Sequence, residues 1–276
     1  MNVTEIARNI ELGEDGIYYA KNTSAISYPT EWNEYCFQIE QDSFWFKHRN
    51  EILIESIRAI SPDKTFFDIG GGNGYVAKGL EDAGIDTVLV EPGSGAQNAK
   101  RRGLKQVVCS TLENAGFLPS SMSAAGLFDV VEHIPDDREF LSQINTFLKP
   151  GGHVFITVPA FRFLWSNEDD HAGHCRRYTL RQLCEVLTKA GFEITYKTYF
   201  FSILPVPVFL FRSLPSKLGL HKKANDPETH KKAHRAKKGI LTALLNRIWI
   251  WELRRVKSQK LIPVGGSCFV VARKPL

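Results

Sequence analysis

Four glycines, Gly70, Gly71, Gly72 and Gly74, fall within five positions directly after the apolar run Phe66-Phe67-Asp68-Ile69. This reads as a strand that breaks into a tight turn. Glycine adopts positive φ without steric cost and lets a ligand approach the backbone closely. Helical spacing resumes at Tyr75, so the free N–H groups of that helix start would face a bound nucleotide-type cofactor. Asp68 at the strand tip repels a pyrophosphate but attracts a ligand ammonium. Glu91 closes a second apolar run, Thr87-Val88-Leu89-Val90, and is placed to accept two hydrogen bonds from a ribose diol. Gly72, Gly74 and Ala77 also satisfy the loose dinucleotide pattern G-x-G-x-x-G/A. Glu91 suits either cofactor, whereas Asp68 favours a cationic amino-acid one.

A second polar constellation runs from Phe161 to Tyr178 and holds Asp169, Asp170, His171, His174, Cys175, Arg176 and Arg177. Thr179 and Gln182 then form a capping box, so the loop is held at a helix N-terminus. His171-x-x-His174-Cys175 has ligand-type side chains but no second ligand cluster, and no metal is expected there. Arg–Asp pairs would pin the loop. Alternatively, a histidine titrating near neutrality takes a proton from an attacking hydroxyl or amine, while Arg176 or Arg177 holds an anionic group. His171, His174, His133, Arg177 and Tyr178 are the candidate catalytic residues.

Strands at 65–69, 86–90, 106–108, 122–127 and 152–158 must position these groups, with helices at 47–60, 74–83, 94–102 and 137–147 between or beside them. Such alternation builds a parallel sheet covered on both faces, with ligands at the carboxyl ends of the strands. Asp68, Glu91, Thr111 and Asp129 all fall at such ends. Two further strands are expected at Phe192–Tyr199 and Ser267–Arg273. Four segments follow: an aromatic-rich lid and helix (1–60), a core (61–201), a basic, amphipathic helical insertion (202–262) and a final core strand (263–276).

Taken together, the segments resemble the class I S-adenosylmethionine-dependent methyltransferases. Asp68-Ile-Gly-Gly-Gly-Asn-Gly74 is similar to that family's first motif, and Glu91 to its ribose acid. Ser110-Thr-Leu-Glu113 lies at its adenine-contacting turn. Leu127–Ile134 and Leu148–Pro159 are similar to its fourth-strand segment and its fifth strand. The resemblance implies a doubly wound, Rossmann-like α/β fold: a seven-stranded sheet, mostly parallel with an antiparallel last strand, plus the C-terminal helical insertion. It implies S-adenosylmethionine as cofactor and S-adenosylhomocysteine as product. Asp68, Gly70, Gly72, Asn73 and Gly74 would hold the methionine end, Glu91 and Pro92 the ribose, and Thr111 and Leu112 the adenine, with Phe128 and Asp129 bordering the methionine part. The acceptor would be a small molecule, glycan or lipid-linked compound methylated at O or N. The rival readings are an NAD-dependent oxidoreductase and a non-catalytic binder of S-adenosylmethionine that works through its basic insertion.

Charge is unevenly spread. The 276-residue chain has net charge +5, but Lys217 to Lys260 alone carries +10, leaving −5 on the remainder. This segment reads as a solvated linker, as a helix capping the domain or a subunit interface, or as a contact with an anionic membrane surface, and nucleic acid is not expected because no stacking motif or recognition helix accompanies the charge. The apolar run 200–211 is too short and proline-broken to span a bilayer. Five cysteines without a C-x-x-C pair, and an acidic N-terminus, point to a cytoplasmic protein, peripheral at the inner membrane face if the insertion binds lipid.

Overall fold

A computed structural model describes residues 2–21, 34, 37–41, 43–60, 65–219 and 240–276, with side chains from 244 in the last segment. Trp32, Tyr35, Cys36, Pro62-Asp63 and the basic run His221–Lys238 lie outside the described residues.

The strands are β1 (Ile10–Leu12), β2 (Tyr18–Ala20), β3 (Phe66–Ile69), β4 (Thr87–Val90), β5 (Gln106–Cys109), β6 (Met122–Phe128), β7 (Leu148–Pro159), β8 (Glu193–Phe200) and β9 (Ser267–Arg273). They form one sheet in the order β1-β2-β5-β4-β3-β6-β7-β9-β8. From β2 to β7 all neighbours are parallel, whereas β9 runs antiparallel to β7 and β8. The chain winds outward from β3 through β4 to β5, then returns to place β6 on the other side of β3. That reversal opens a crevice at the carboxyl ends of β3, β4 and β6, where open α/β sheets bind ligands.

The sequence predicts seven strands; the sheet has nine. The extra pair is a hairpin at the start of the 1–60 segment, where no strand is expected, closed by hydrogen bonds from Gly13 N–H to the Ile17 carbonyl and from Gly16 N–H to the Gly13 carbonyl. Its strands are three residues each, too short for an alternating pattern to show.

The central strands are buried on both faces, as continuous apolar runs require. One face is covered by α1 (Phe44–Ile60) and α2 (Tyr75–Asp82), whose Ile52, Leu53, Ile57, Val76 and Leu80 pack with Phe66 and Phe155. Beside the Gly-rich turn lies α3 (Gly95–Arg101). The opposite face is covered by α4 (Asp137–Phe147) and, beyond the short α5 (Asn167–Ala172), by α6 (Leu180–Lys189), through Leu141, Ile144, Leu183 and Leu187. Between β8 and β9 come helical turns over residues 205–217 and the long α7 (Ile240–Lys257).

Helix α7 packs on α1. Trp249 and Val256 join the core, and Phe44 stacks on Trp249 with ring centroids 6.2 Å apart. Fully buried Glu252 accepts from the Phe201 N–H (3.0 Å), the Ser202 N–H (2.6 Å) and the Ser202 hydroxyl (2.5 Å), and lies 2.9 Å from His48 Nε2. An acid inside an apolar stripe thus locks the insertion to the first helix. Among the described residues, no helix is long and apolar enough to cross a membrane.

Candidate active site

Parallel pairing sets Asp68 beside Leu89 of β4 and Gly126 of β6, so the ends of these three strands share one rim. Asp68 is fully buried, and among the described residues no side chain hydrogen-bonds its carboxylate; the Ala77 backbone amide is the neighbouring dipole that favours its ionised form. Burial drives its pKa up to about 7, and the charge of Arg49 offsets only part of this. A carboxylate left without a side-chain partner under a turn is costly unless a ligand cation completes it. The turn above has room for one: Gly72 has φ +53°, and a Cβ built on it would meet nothing within 4 Å. At Gly71, by contrast, a Cβ would collide with the Asp68 carboxylate and with Leu89 Cδ1 at 2.5 Å.

Glu91 is buried at the end of β4. It accepts from the Gly72 N–H (2.9 Å) and the Gly93 N–H (2.8 Å), one on each oxygen. Burial raises its pKa, and the two amides oppose that shift. Each oxygen keeps a lone pair for a ribose hydroxyl, so the backbone orients the carboxylate without consuming it. Pro92 follows, half-buried. Beyond β5, the Ser110 hydroxyl is buried with no hydrogen-bond partner among the described residues, while Thr111 Oγ1 accepts from the Asn114 N–H at 3.2 Å and Leu112 sits in the core. Asn73 braces the turn: its Oδ1 accepts from Asn98 Nδ2 (3.0 Å), its carbonyl from Arg102 Nε (3.0 Å), and its Nδ2 donates to Glu40 (3.3 Å). Gly70 and Gly74 have positive φ at the two ends of the turn. The buried Asp68, the open Gly72 and the oriented Glu91 fit an adenosyl amino acid with a cationic end.

Phe128 is core, stacked on Phe66 with centroids 6.2 Å apart. Asp129 then takes the left-handed region at φ 57°, which a short polar side chain tolerates better than most. Its N–H donates to the Thr157 carbonyl (2.9 Å), its Oδ1 accepts from the Thr157 hydroxyl (3.1 Å), and its Oδ2 pairs with Arg49 at 2.8 Å. Sequence reasoning passed over Arg49. The readable signal was helical spacing, because Arg49 lies three and four residues before core Ile52 and Leu53 and so shares their buried face.

The 161–178 loop meets the segment after β6. Asp169 is buried and grips Arg177 with both oxygens (2.7 and 3.0 Å), accepts from the Ser166 N–H (2.9 Å), and lies 2.8 Å from His174 Nδ1. Burial alone would raise its pKa, but hydrogen bonds from His174 and Arg177 prevail and hold it at about 2. Arg177 therefore pins the loop, with a further bond to the Ala160 carbonyl at 3.2 Å. The Tyr178 hydroxyl is likewise committed, donating to Asp137 at 2.7 Å, and burial together with that bond raises its pKa. Exposed His171 turns its Nδ1 to the Asn167 carbonyl of its own helix and stays apart from the other histidines.

The remaining two meet. The rings of His133 and His174 lie edge to face with centroids 4.8 Å apart. Burial, then the neighbouring His174, lowers the His133 pKa. Beside them Glu132 is fully buried, with one carboxylate oxygen 4.0 Å from His174 Nε2, and among the described residues no other residue hydrogen-bonds its carboxylate. Burial pushes its pKa well up, and the Asp129 charge adds to this. Glu132, an acid inside the apolar stretch Phe128–Ile134, was also passed over.

A family model described as a methyltransferase domain matches residues 42–197. The chain belongs to the class I S-adenosylmethionine-dependent methyltransferases. Among this family's curated members, it is 28% identical over 103 residues to the ubiquinone biosynthesis O-methyltransferase of Acinetobacter baylyi, covering 34% of this chain and 43% of that protein. A probable S-adenosylmethionine-dependent methyltransferase of Mycolicibacterium smegmatis is 26% identical over 162 residues, or 56% of this chain and 62% of the relative. The chain thus matches less than two thirds of either relative's length. Two solved methyltransferases share the fold. A possible histamine N-methyltransferase from Thermotoga maritima has a TM-score of 0.53 at 18% identity, over 88% of this chain and 95% of that one. Haemonchus contortus phosphoethanolamine N-methyltransferase 2, solved with S-adenosyl-L-methionine, has a TM-score of 0.54 at 20% identity, over 94% and 62%.

Proposed function

We propose that this chain transfers the methyl group of S-adenosylmethionine to a hydroxyl oxygen of an acceptor with a long apolar portion. The observation that carries this is the sharing of one sheet rim by the buried Asp68, the oriented Glu91 and, beyond Asp129, the His133–His174 pair. When bound, the cofactor supplies a methyl group on a sulfonium, activated for in-line displacement.

The chain's own residues do the rest. Asp68 accepts from the ligand ammonium, Glu91 takes the ribose hydroxyls, and Gly72 lets the ligand lie against the backbone. The Asp129–Arg49 pair fixes the wall between cofactor and acceptor. Such positioning contributes up to roughly 7–11 kcal/mol of barrier lowering. The Asp169 carboxylate holds the Nδ1–H tautomer of His174, leaving Nε2 to accept the acceptor's proton, and stabilises the imidazolium that results. General-base assistance of this kind is worth ~10²–10⁴-fold in rate.

The apolar preference rests on the 205–217 turns, which are fastened to the loop that carries the histidines. Arg212 pairs with Glu168 at 2.6 Å, the Ser213 hydroxyl donates to the Leu164 carbonyl at 2.7 Å, and Ser216 Oγ accepts from the Asn167 N–H at 3.2 Å. Those turns leave Val206, Leu210, Phe211 and Leu218 exposed, Phe211 by 77%. The positively charged stretch that follows suits an anionic membrane surface presenting a lipid-linked acceptor.

Methyl-labelled S-adenosylmethionine incubated with polyprenyl phenols and simple catechols tests the reaction. His174→Ala should lower turnover ~10²–10⁴-fold with cofactor affinity unchanged. Label passing only to amines, or turnover indifferent to His174, would contradict the hydroxyl reading. Sedimentation with anionic vesicles at low salt tests the surface, and Phe211→Ser together with Leu218→Ser should release the protein.

A further inference from the structure

We propose that Glu132, His133 and His174 form a binding site for one divalent first-row transition-metal ion, of which zinc fits the ligand set best. This rests on the reading above only for the ion's role, and its occupancy can be tested separately.

One carboxylate oxygen and one nitrogen from each imidazole lie within 4.8 Å of one another. Bonds of about 2.0–2.2 Å to a tetrahedral ion need ligand atoms roughly 3.4 Å apart, so side-chain adjustments of about an ångström close the triangle. Three surrounding features separate this cluster from a chance meeting of polar groups. Glu132 is entirely buried, and among the described residues no other residue hydrogen-bonds its carboxylate; the charges of Arg49 and Arg177 offset only part of that cost, which a cation facing it would relieve. His174 donates Nδ1–H to Asp169 at 2.8 Å, so the lone pair of Nε2 faces Glu132. Asp169 in turn is fixed by Arg177 and Ser166, which is the carboxylate–histidine support that orients metal-ligating imidazoles.

The two segments are also laced together. The Cys175 N–H donates to the Glu132 carbonyl at 2.7 Å, and the Cys175 thiol to the His133 carbonyl at 3.5 Å. The ligands therefore belong to one unit, although they lie more than forty residues apart in the chain.

Two histidines and one carboxylate leave a coordination position open, as catalytic zinc sites do. An ion held there would supply Lewis-acid activation, lowering the pKa of an acceptor hydroxyl bound at the open position so that its proton could pass to solvent. The acceptor oxygen then bonds to the methyl carbon as the carbon–sulfur bond breaks and the electron pair stays on sulfur. With the ion bound, His174 Nε2 is a ligand; in the metal-free chain the same nitrogen is the proton acceptor described above. Loss of turnover in His174→Ala fits both roles, so the deciding readout is metal binding.

The experiment titrates Co²⁺ and Zn²⁺ into the chelator-treated full chain, reading Co²⁺ visible absorption and calorimetry, with S-adenosylmethionine affinity measured on the same samples. One ion per chain is expected, with affinity falling at least about 100-fold in Glu132→Gln and His174→Ala, and about 10–100-fold in Asp169→Asn, where only the support is lost. His171→Ala, outside the cluster, should bind like the parent, and unchanged far-ultraviolet circular dichroism checks that the variants fold. No ion binding to the parent chain, or binding that survives all three cluster substitutions, overturns the proposal. Cofactor binding without metal binding refutes only this site, whereas metal binding without cofactor binding refutes the methyl-donor reading.

Discussion

Cofactor binding at pH 6 should expel a proton, and the amount is set by Asp68. In the ligand-free chain burial holds this carboxyl near pKa 7, against an ordinary 3.8. An ammonium seated against it favours the ionised form and drives the pKa far down. Binding then releases roughly 0.9 proton at pH 6, whereas at pH 8 the ligand's own α-amino group, with an ordinary pKa of about 7.7–8.0, takes up about half a proton, so affinity falls about fourfold between pH 8 and pH 6. Calorimetry of S-adenosylmethionine binding in two buffers of different ionisation enthalpy counts those protons directly. Asp68→Asn should bind at least tenfold more weakly and remove the release at pH 6. The sign for stability is opposite. Because the folded pKa is raised, Asp68's contribution is fully present below about pH 3.8 and is lost as the pH rises through about 7, at a cost of a few kcal/mol. Asp68→Asn should therefore raise the melting temperature of the ligand-free chain at pH 8 by several degrees while weakening binding. A release that does not change between pH 6 and 8, or an Asn variant that binds normally, would refute the reasoning.

Replacing Asp169 with Ala leaves Arg177, His174 and the Ser166 N–H without their shared acceptor and should cost about 3–5 kcal/mol by chemical denaturation. Its pKa is depressed to about 2, so its contribution is present above about pH 3.8 and is lost as the pH falls through about 2, which acid titration of the loop can follow. Arg49→Met removes a charge that lowers the Asp68 pKa, so the midpoint of cofactor-linked proton release should move to higher pH in the same calorimetry. Glu252→Ala leaves the Phe201 and Ser202 amides and His48 without their acceptor and should destabilise the fold by at least about 2 kcal/mol. Because His48 neighbours Arg49, which pairs with Asp129 at the rim, cofactor affinity should fall together with stability.

The core strands and the Gly-rich turn were legible because the strands are short, largely apolar runs, and those of β3, β4 and β6 carry an acid at the rim, Asp68, Glu91 and Asp129. The β1–β2 hairpin was not, because three-residue strands carry no period to read. Within the loop, residue types were visible but partners were not. Arg177 and Tyr178 look like free chemistry in the sequence, yet Asp169 and Asp137 occupy them. Glu132 escaped notice because its meaning depends on a histidine forty-two residues later, a long-range meeting that local spacing does not encode.

The central claim is that the Asp68–Glu91 rim holds S-adenosylmethionine. Binding of S-adenosylmethionine, S-adenosylhomocysteine and NAD to the parent chain, Asp68→Asn and Glu91→Gln tests it most directly by calorimetry. The account predicts one adenosyl ligand per chain, weakened at least about tenfold in each variant, with no NAD binding. NAD binding in place of S-adenosylmethionine, or adenosyl binding indifferent to both substitutions, would contradict it.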